Sequence, residues 1–137
     1  MYPEEMVMPM KAALTDRGFQ DLNTPEKVKE ALQKSGTTLL IINSVCGCAA
    51  GSARPSVLLS IEGEGKKPNY LTTTFAGFDV EAVKTAREYL VPFPPSSPSI
   101  ALFKDGELVH FLERHHIEGN SAEIIAENLK QAYEEYC

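Results

Sequence analysis

The segment Thr37-Thr38-Leu39-Leu40-Ile41-Ile42 is apolar on both faces and is bounded by Gly36 and Asn43. A strand with one wet face alternates polar and apolar residues, and this run does not. It predicts a central strand covered by helices on each side. The flanks agree. Asn23-Thr24-Pro25 reads as a helix cap with proline at the first helical position. The run Pro25 to Lys34 then places Val28, Ala31 and Leu32 on one face, and Ser35-Gly36 stops it.

The same reading extends along the chain. Glu4 to Arg17 sets Met6, Met10, Ala13 and Leu14 at helical spacing, with Pro9 expected to kink or restart the helix. The cluster Met1, Met6, Met8 and Met10 reads as helix packing. Ser44 to Arg54 is a strand-to-helix transition of small residues, and Pro55 is expected to kink the helix or begin a new one. After the polar loop Gly63 to Asn69, Tyr70 to Phe75 is a second strand. Asp79 then caps a helix over Val80 to Leu90, with Phe75, Phe78 and Tyr89 expected in the core. Val91 to Ser99 holds four of the nine prolines. Ile100 to Phe103 and Leu108 to Leu112 flank Asp105-Gly106, a strong hairpin signal. A last helix runs from about Ser121 to Tyr136, with Ile124, Ile125, Leu129, Ala132 and Tyr133 at core spacing. Helix-linked strands followed by a hairpin predict one α/β domain over residues 1–137. Its mixed sheet is flanked by helices on both faces.

Thirteen Lys and Arg against nineteen Asp and Glu leave a net charge of −6. That balance argues against a nucleic-acid binder. No apolar stretch approaches the ~20 residues that span a bilayer, so no membrane partner is expected. Glu4 and Glu5 stand where a signal peptide carries basic charge, and the expected location is the cytoplasm. The chain has three cysteines, an odd number, and Cys46 and Cys48 are separated only by Gly47. This is no disulfide scaffold; it points to redox chemistry or metal binding.

A thiol becomes a nucleophile as its thiolate, and a helix N-terminus favours the anion through unpaired N–H groups and the helix dipole. Cys46 and Cys48 fall where the predicted strand hands over to a helix, with no acidic neighbour. Gly47, lacking a Cβ, is expected to let the backbone bend sharply enough for the two sulfurs to meet. A disulfide across one residue departs from ordinary disulfide geometry and suits exchange better than stapling. Cys46 is then the attacking thiolate and Cys48 the resolving one. Two readings from other classes stay open: a C-x-C metal clamp, and a peptide-binding module that does not use its cysteines. A metal site needs about four ligands, and the remaining soft candidates, Cys137, His110, His115 and His116, are distant in sequence. The histidines read as solvated surface, Cys137 as a bystander at the terminus, Lys66-Lys67 as a loop charge pair and Arg54 as an exposed helix residue.

Ser97-Pro98-Ser99 and the strand and turn that follow resemble the thioredoxin-superfamily segment in which a cis-proline precedes a strand. That resemblance implies Pro98 as a cis-proline facing the cysteines and Ser97 as the residue pairing with the substrate backbone. Thioredoxins proper carry two residues between their cysteines, and this chain carries one. The stretch Asn43 to Pro55 with its C-G-C-A-A-G core, together with Pro94-Pro95-Ser96-Ser97-Pro98-Ser99, is similar to the bacilliredoxin family. The similarity extends over nearly the whole chain, the opening Met1-Tyr2-Pro3 included. It implies a thioredoxin-like fold and removal of bacillithiol, a low-molecular-weight thiol, from mixed disulfides on oxidised client proteins, with Cys46 attacking. Bacillithiol is then a co-substrate, and no metal or tightly bound cofactor is required. General disulfide reductase or isomerase activity is the alternative.

Overall fold

The computed structural model describes residues 1–137. In chain order the elements are helix α1 (Glu4–Thr15), strand β1 (Gln20–Asp21), α2 (Pro25–Leu32), β2 (Thr37–Asn43), a widened π-helical turn (Ala49–Ala53) leading into α3 (Arg54–Ser60), β3 (Tyr70–Phe75), α4 (Val80–Glu88), β4 (Ser99–Lys104), β5 (Glu107–Leu112), the single turn α5 (Arg114–Ile117) and α6 (Ala122–Tyr136). The strands form one sheet in the order β1-β3-β2-β4-β5. β3 runs parallel to β1 and β2, whereas β4 is antiparallel to β2 and β5 to β4.

β2 is buried at all seven positions. Its side chains alternate between two cores. Leu39 and Ile41 pack with Leu14, Val57, Leu129 and Tyr133 from α1, α3 and α6. Leu40 and Ile42 pack with Val28 and Leu32 of α2 and Ala82 and Ala86 of α4. Each such aliphatic side chain contributes ~1.5–3 kcal/mol by leaving water, so both helical layers are held by one strand. Local chemistry sets the helix starts: Thr24 Oγ1 accepts from Lys27 N–H at 3.2 Å, and Ser121 Oγ from Ile124 N–H at 3.2 Å. Asp105 and Gly106 both take positive φ, the conformation a tight two-residue hairpin needs.

Several sequence expectations are corrected. Antiparallel pairing begins one strand further in than the hairpin, because Val91 to Pro98 brings the chain back to the end of the sheet where β2 finishes, and β4 enters there in reverse. β1 has only two residues, too short for any periodic signal. Helix α1 continues through Pro9, whose missing N–H falls on an exposed face. Its inward stripe is Val7, Lys11 and Leu14; Met1, Met6 and Met8 are exposed and Met10 is half-buried. Ile124 is 61% exposed while Ile125 is buried, because Ile125 falls on the stripe that Leu129, Ala132 and Tyr133 turn toward the sheet. Phe75 is buried, but Phe78 and Tyr89 are only partly so.

A buried lysine needs partners. Lys11 Nζ lies 3.0 Å from Asp21 Oδ2 and 2.9 Å from Asp79 Oδ2, and the Lys11 and Asp79 side chains are each 5% exposed. Asp79, expected to cap α4, instead accepts from Phe75 N–H at 3.0 Å and holds Lys11. Replacing Lys11 with methionine leaves Asp79 as an uncompensated buried charge; the expected loss is ~3–5 kcal/mol of stability in urea denaturation. Tyr133 adds a pH dependence. Ser60 donates to Val57 O at 2.7 Å, so the Tyr133 hydroxyl, 2.8 Å away, donates to Ser60. Burial pushes the Tyr133 phenol well above the ordinary tyrosine value. The folded state therefore keeps a proton that the unfolded chain gives up near pH ~10. This contribution is complete at neutral pH and is lost as pH rises above the unfolded value. Tyr133→Phe should flatten the alkaline fall in stability measured by thermal melts at successive pH values.

Candidate active site

Asn43 stands opposite Phe75 and Ile42 opposite Ser99 in the sheet register. The residues that follow β2, follow β3 and precede β4 are therefore neighbours at one end of the sheet. This is the carboxyl end of the parallel strands, next to the point where strand direction changes, a place where open α/β sheets form clefts. Cys46 and Cys48, Ala76 and Gly77, and Ser97 and Pro98 are brought together there.

Helical backbone begins at Gly47, and Cys46 O accepts from Ala49 and Ala50 N–H at 2.9 and 3.2 Å. Cys46 thus occupies the cap position. Its Sγ receives the Cys48 N–H at 3.3 Å, where a serine or aspartate oxygen would ordinarily act. A donor aimed at this sulfur favours its anion. The Cys46 and Cys48 sulfurs are paired as a disulfide, with Cα atoms 5.3 Å apart. Gly47 does not supply a special bend: its φ is not positive and the space where a Cβ would stand is open. Pro55 brings no break in the helix but a widening before it. Its ring excludes the carbonyl four residues back and it offers no N–H, and the Ala49–Ala53 turn is of the wider π type.

The Ser97–Pro98 peptide bond is cis, as the resemblance implied, and Val91–Pro92 is cis as well. Pro98 is buried, while Ser97 reaches the surface of a cleft of about 360 Å³ that also exposes Val45, Cys46 and Ala76. Four lining residues were missed from the sequence: Tyr2, Ala76, Gly77 and Arg114. Tyr2 N–H donates to Gly77 O at 3.1 Å. Its ring lies so close to Gly77 that a Cβ there would stand 2.5 Å from a ring carbon. Glycine is required at that position, which also has φ +80°. For Tyr2 the only signal was the similarity at Met1-Tyr2-Pro3; for Arg114 the sequence carried none.

Arg54 is not the exposed helix residue expected. It is half-buried and its Nη1 donates to Asn43 Oδ1 at 2.9 Å and Ser44 O at 3.0 Å. Ser44 Oγ in turn accepts from Cys46 N–H at 3.2 Å, and Asn43 Nδ2 donates to Met10 O at 3.3 Å. Burial lowers the guanidinium pKa from its ordinary value, yet arginine remains charged at neutral pH. A cation therefore braces the loop that carries Cys46. Away from the cleft, His110 is half-buried and 2.7 Å from Asn128 Oδ1. His115 and His116 are exposed, and their ligand atoms and that of Glu113 lie within 4.8 Å of one another. Cys137 is free and exposed.

Residues 2–137 match the model of a family described as disulphide isomerase. A bacilliredoxin of Cytophaga hutchinsonii is 61% identical over 135 residues, covering 98% of this chain and 99% of that one. A bacilliredoxin of Halalkalibacterium halodurans is 52% identical, with 99% and 94% covered. The chain belongs to the bacilliredoxin family. Its fold is thioredoxin-like. Malassezia sympodialis thioredoxin superposes with TM-score 0.61 at 14% identity, over 87% of this chain and 90% of that one. Oxidised thioredoxin O2 of Arabidopsis thaliana gives 0.56 at 21% identity, over 85% and 95%. With its C-x-C pair at the end of the central strand, this bacilliredoxin-family chain is a thiol–disulfide oxidoreductase. Arg54→Ala removes a charged donor from Asn43 and Ser44; urea denaturation should register a loss of ~1.5–3 kcal/mol.

Proposed function

We propose that the chain removes bacillithiol from mixed disulfides on client proteins. The observation that carries this reading is Cys46, with Cys48 two residues on, lining a cleft with Ser97 in a chain that is 61% and 52% identical to proteins named bacilliredoxin. Cys46 thiolate attacks the bacillithiol sulfur of the mixed disulfide. A Cys46–bacillithiol disulfide forms, the client–bacillithiol bond breaks, and the client leaves as a thiolate that takes a proton from water. Cys48 thiolate then attacks the Cys46 sulfur, giving the Cys46–Cys48 disulfide and releasing bacillithiol as its thiolate. A low-molecular-weight thiol returns the pair to the dithiol and is itself oxidised. Alternatively, free bacillithiol attacks the Cys46 adduct directly, leaving Cys46 thiolate and the bacillithiol disulfide.

The roles follow from placement. Cys46 sits at the cap position with the Cys48 N–H directed at its sulfur, which lowers the cost of the thiolate. Ser97 offers its backbone beside the cysteines, where an extended client segment would pair. Bacillithiol acts as a co-substrate, with no metal or resident cofactor in the cycle, and the reaction belongs in the cytoplasm, where reduced thiols are plentiful. No helix is long and apolar enough to cross a membrane. The description of the matching family keeps general protein disulfide exchange as a second reading.

Cys48→Ala protein incubated with a bacillithiolated client should accumulate bacillithiol on Cys46 while the client thiol is released, as read by mass spectrometry of the digest. An unmodified Cys46 with the client still bacillithiolated would refute the proposal. Adducts appearing on Cys137 instead would place the chemistry elsewhere.

A further inference from the structure

Arg114 is the one charged side chain that lines the cysteine cleft; apart from Cys46, the remaining lining residues are small, aliphatic, hydroxylated or, in Tyr2, aromatic. The anchoring of Arg114 is specific. The Arg114 backbone N–H donates to Ser96 Oγ at 3.3 Å, and Nη1 donates to Ser97 O at 3.3 Å. Nη2 donates to Glu118 Oε1 at 3.3 Å, a pair with both side chains about half exposed. Solvent screening makes such a pair weak and exchangeable. A guanidinium has five N–H donors in a planar fork, and two of them are engaged. The head is therefore held beside the residue before Pro98 with donors to spare, while Cys46 lines the same cleft.

We propose that Arg114 is a specificity-determining residue that selects low-molecular-weight thiols bearing a carboxylate. Resting on the de-thiolation reading above, the inference adds which half of the mixed disulfide the cleft recognises and by what group. The carboxylate of the small thiol exchanges with Glu118 at the guanidinium fork, a geometry suited to bidentate pairing. That contact aims the small thiol's sulfur, rather than the client's, at Cys46. The covalent step is unchanged: the bond between client and small thiol breaks, the bond from Cys46 to the small thiol forms, and the client departs as thiolate. A small thiol without an anionic group meets no partner for Arg114 and is bound less productively.

The test uses one client peptide with a single cysteine, capped in turn with 3-mercaptopropionate, 2-mercaptoethanol or cysteamine, which differ mainly in charge. The kcat/KM for each is compared between wild type, Arg114→Lys, Arg114→Gln and Glu118→Gln. Taking each variant as a ratio to wild type cancels the intrinsic reactivity of the three disulfides. Arg114→Gln is expected to lose about tenfold on the mercaptopropionate probe, equivalent to ~1.4 kcal/mol, and to change the other two by less than about twofold. Arg114→Lys should recover part of the loss. Glu118→Gln, at an exposed position, should raise the mercaptopropionate rate and so tests the idea without disturbing the cleft wall. Equal losses on all three probes, with a shift in the pH profile of Cys46 alkylation, would assign Arg114 a general effect on the thiolate and overturn the inference alone. Equal wild-type preference for the three caps, corrected against their uncatalysed exchange rates, would do the same. Failure of the wild type to resolve any probe would overturn the de-thiolation reading and this inference with it.

Discussion

Burial of β2 on both faces is the constraint from which the rest of the molecule follows. All seven of its residues are buried, so no functional group can project from the strand into solvent. One helical layer, α1, α3 and α6, must cover Leu39 and Ile41, and another, α2 and α4, must cover Leu40 and Ile42. Chemistry is then confined to the end of the strand. Asn43 is the last residue of the strand and the first whose side chain is fully polar; its Oδ1 accepts from Ser44 N–H and from Arg54. Three residues later comes Cys46.

The loops at that end would leave backbone carbonyls unpaired, because the strands no longer supply partners. Cations take up several of them. Arg54 holds Ser44 O, Arg87 holds Ser96 O at 3.1 Å and Arg114 holds Ser97 O. Lys11 secures the third loop through Asp79, whose carboxylate also receives Phe75 N–H. Charge-assisted bonds are stronger than neutral ones, so a handful of them can hold three short loops around one cleft. Of these cations Arg54, whose partners Asn43 and Ser44 are neutral, braces the loop that carries Cys46, and a cation beside a cysteine favours its thiolate.

Elements whose signal is local were legible. The β2 run, the Thr24 and Ser121 caps and the Asp105-Gly106 hairpin each follow from a few consecutive residues, and each lies where the sequence put it. Errors arose where a side chain's environment is made by distant residues. Lys11 is buried only because Asp21 and Asp79 come to it, so the inward face of α1 was misjudged by hydrophobicity alone. Ile124 has the spacing of a core residue, but Ile125 takes the inward place. β1 has two residues and exists because β3 offers an edge. Arg54 looked solvent-facing because its partners, Asn43 and Ser44, are eleven and ten residues back along the chain and meet it only after the helix turns under the loop. Gly47 was assigned a bend that helical geometry makes unnecessary.

The sequence by itself determined the α/β layering, since a strand apolar on both faces can be satisfied only by cover on both sides. It also singled out Cys46 and Cys48, because two cysteines one residue apart at a strand-to-helix junction are informative without any tertiary context. Tertiary structure alone decided what surrounds them. The pairing of Ile42 with Ser99 sets Pro98 and Ser97 beside the cysteine loop, and Tyr2 and Arg114 arrive from near the start of the chain and beyond the hairpin. Those positions depend on sheet register and on the path of a proline-rich connection. Both are set by contacts between segments remote in sequence, which no local pattern encodes.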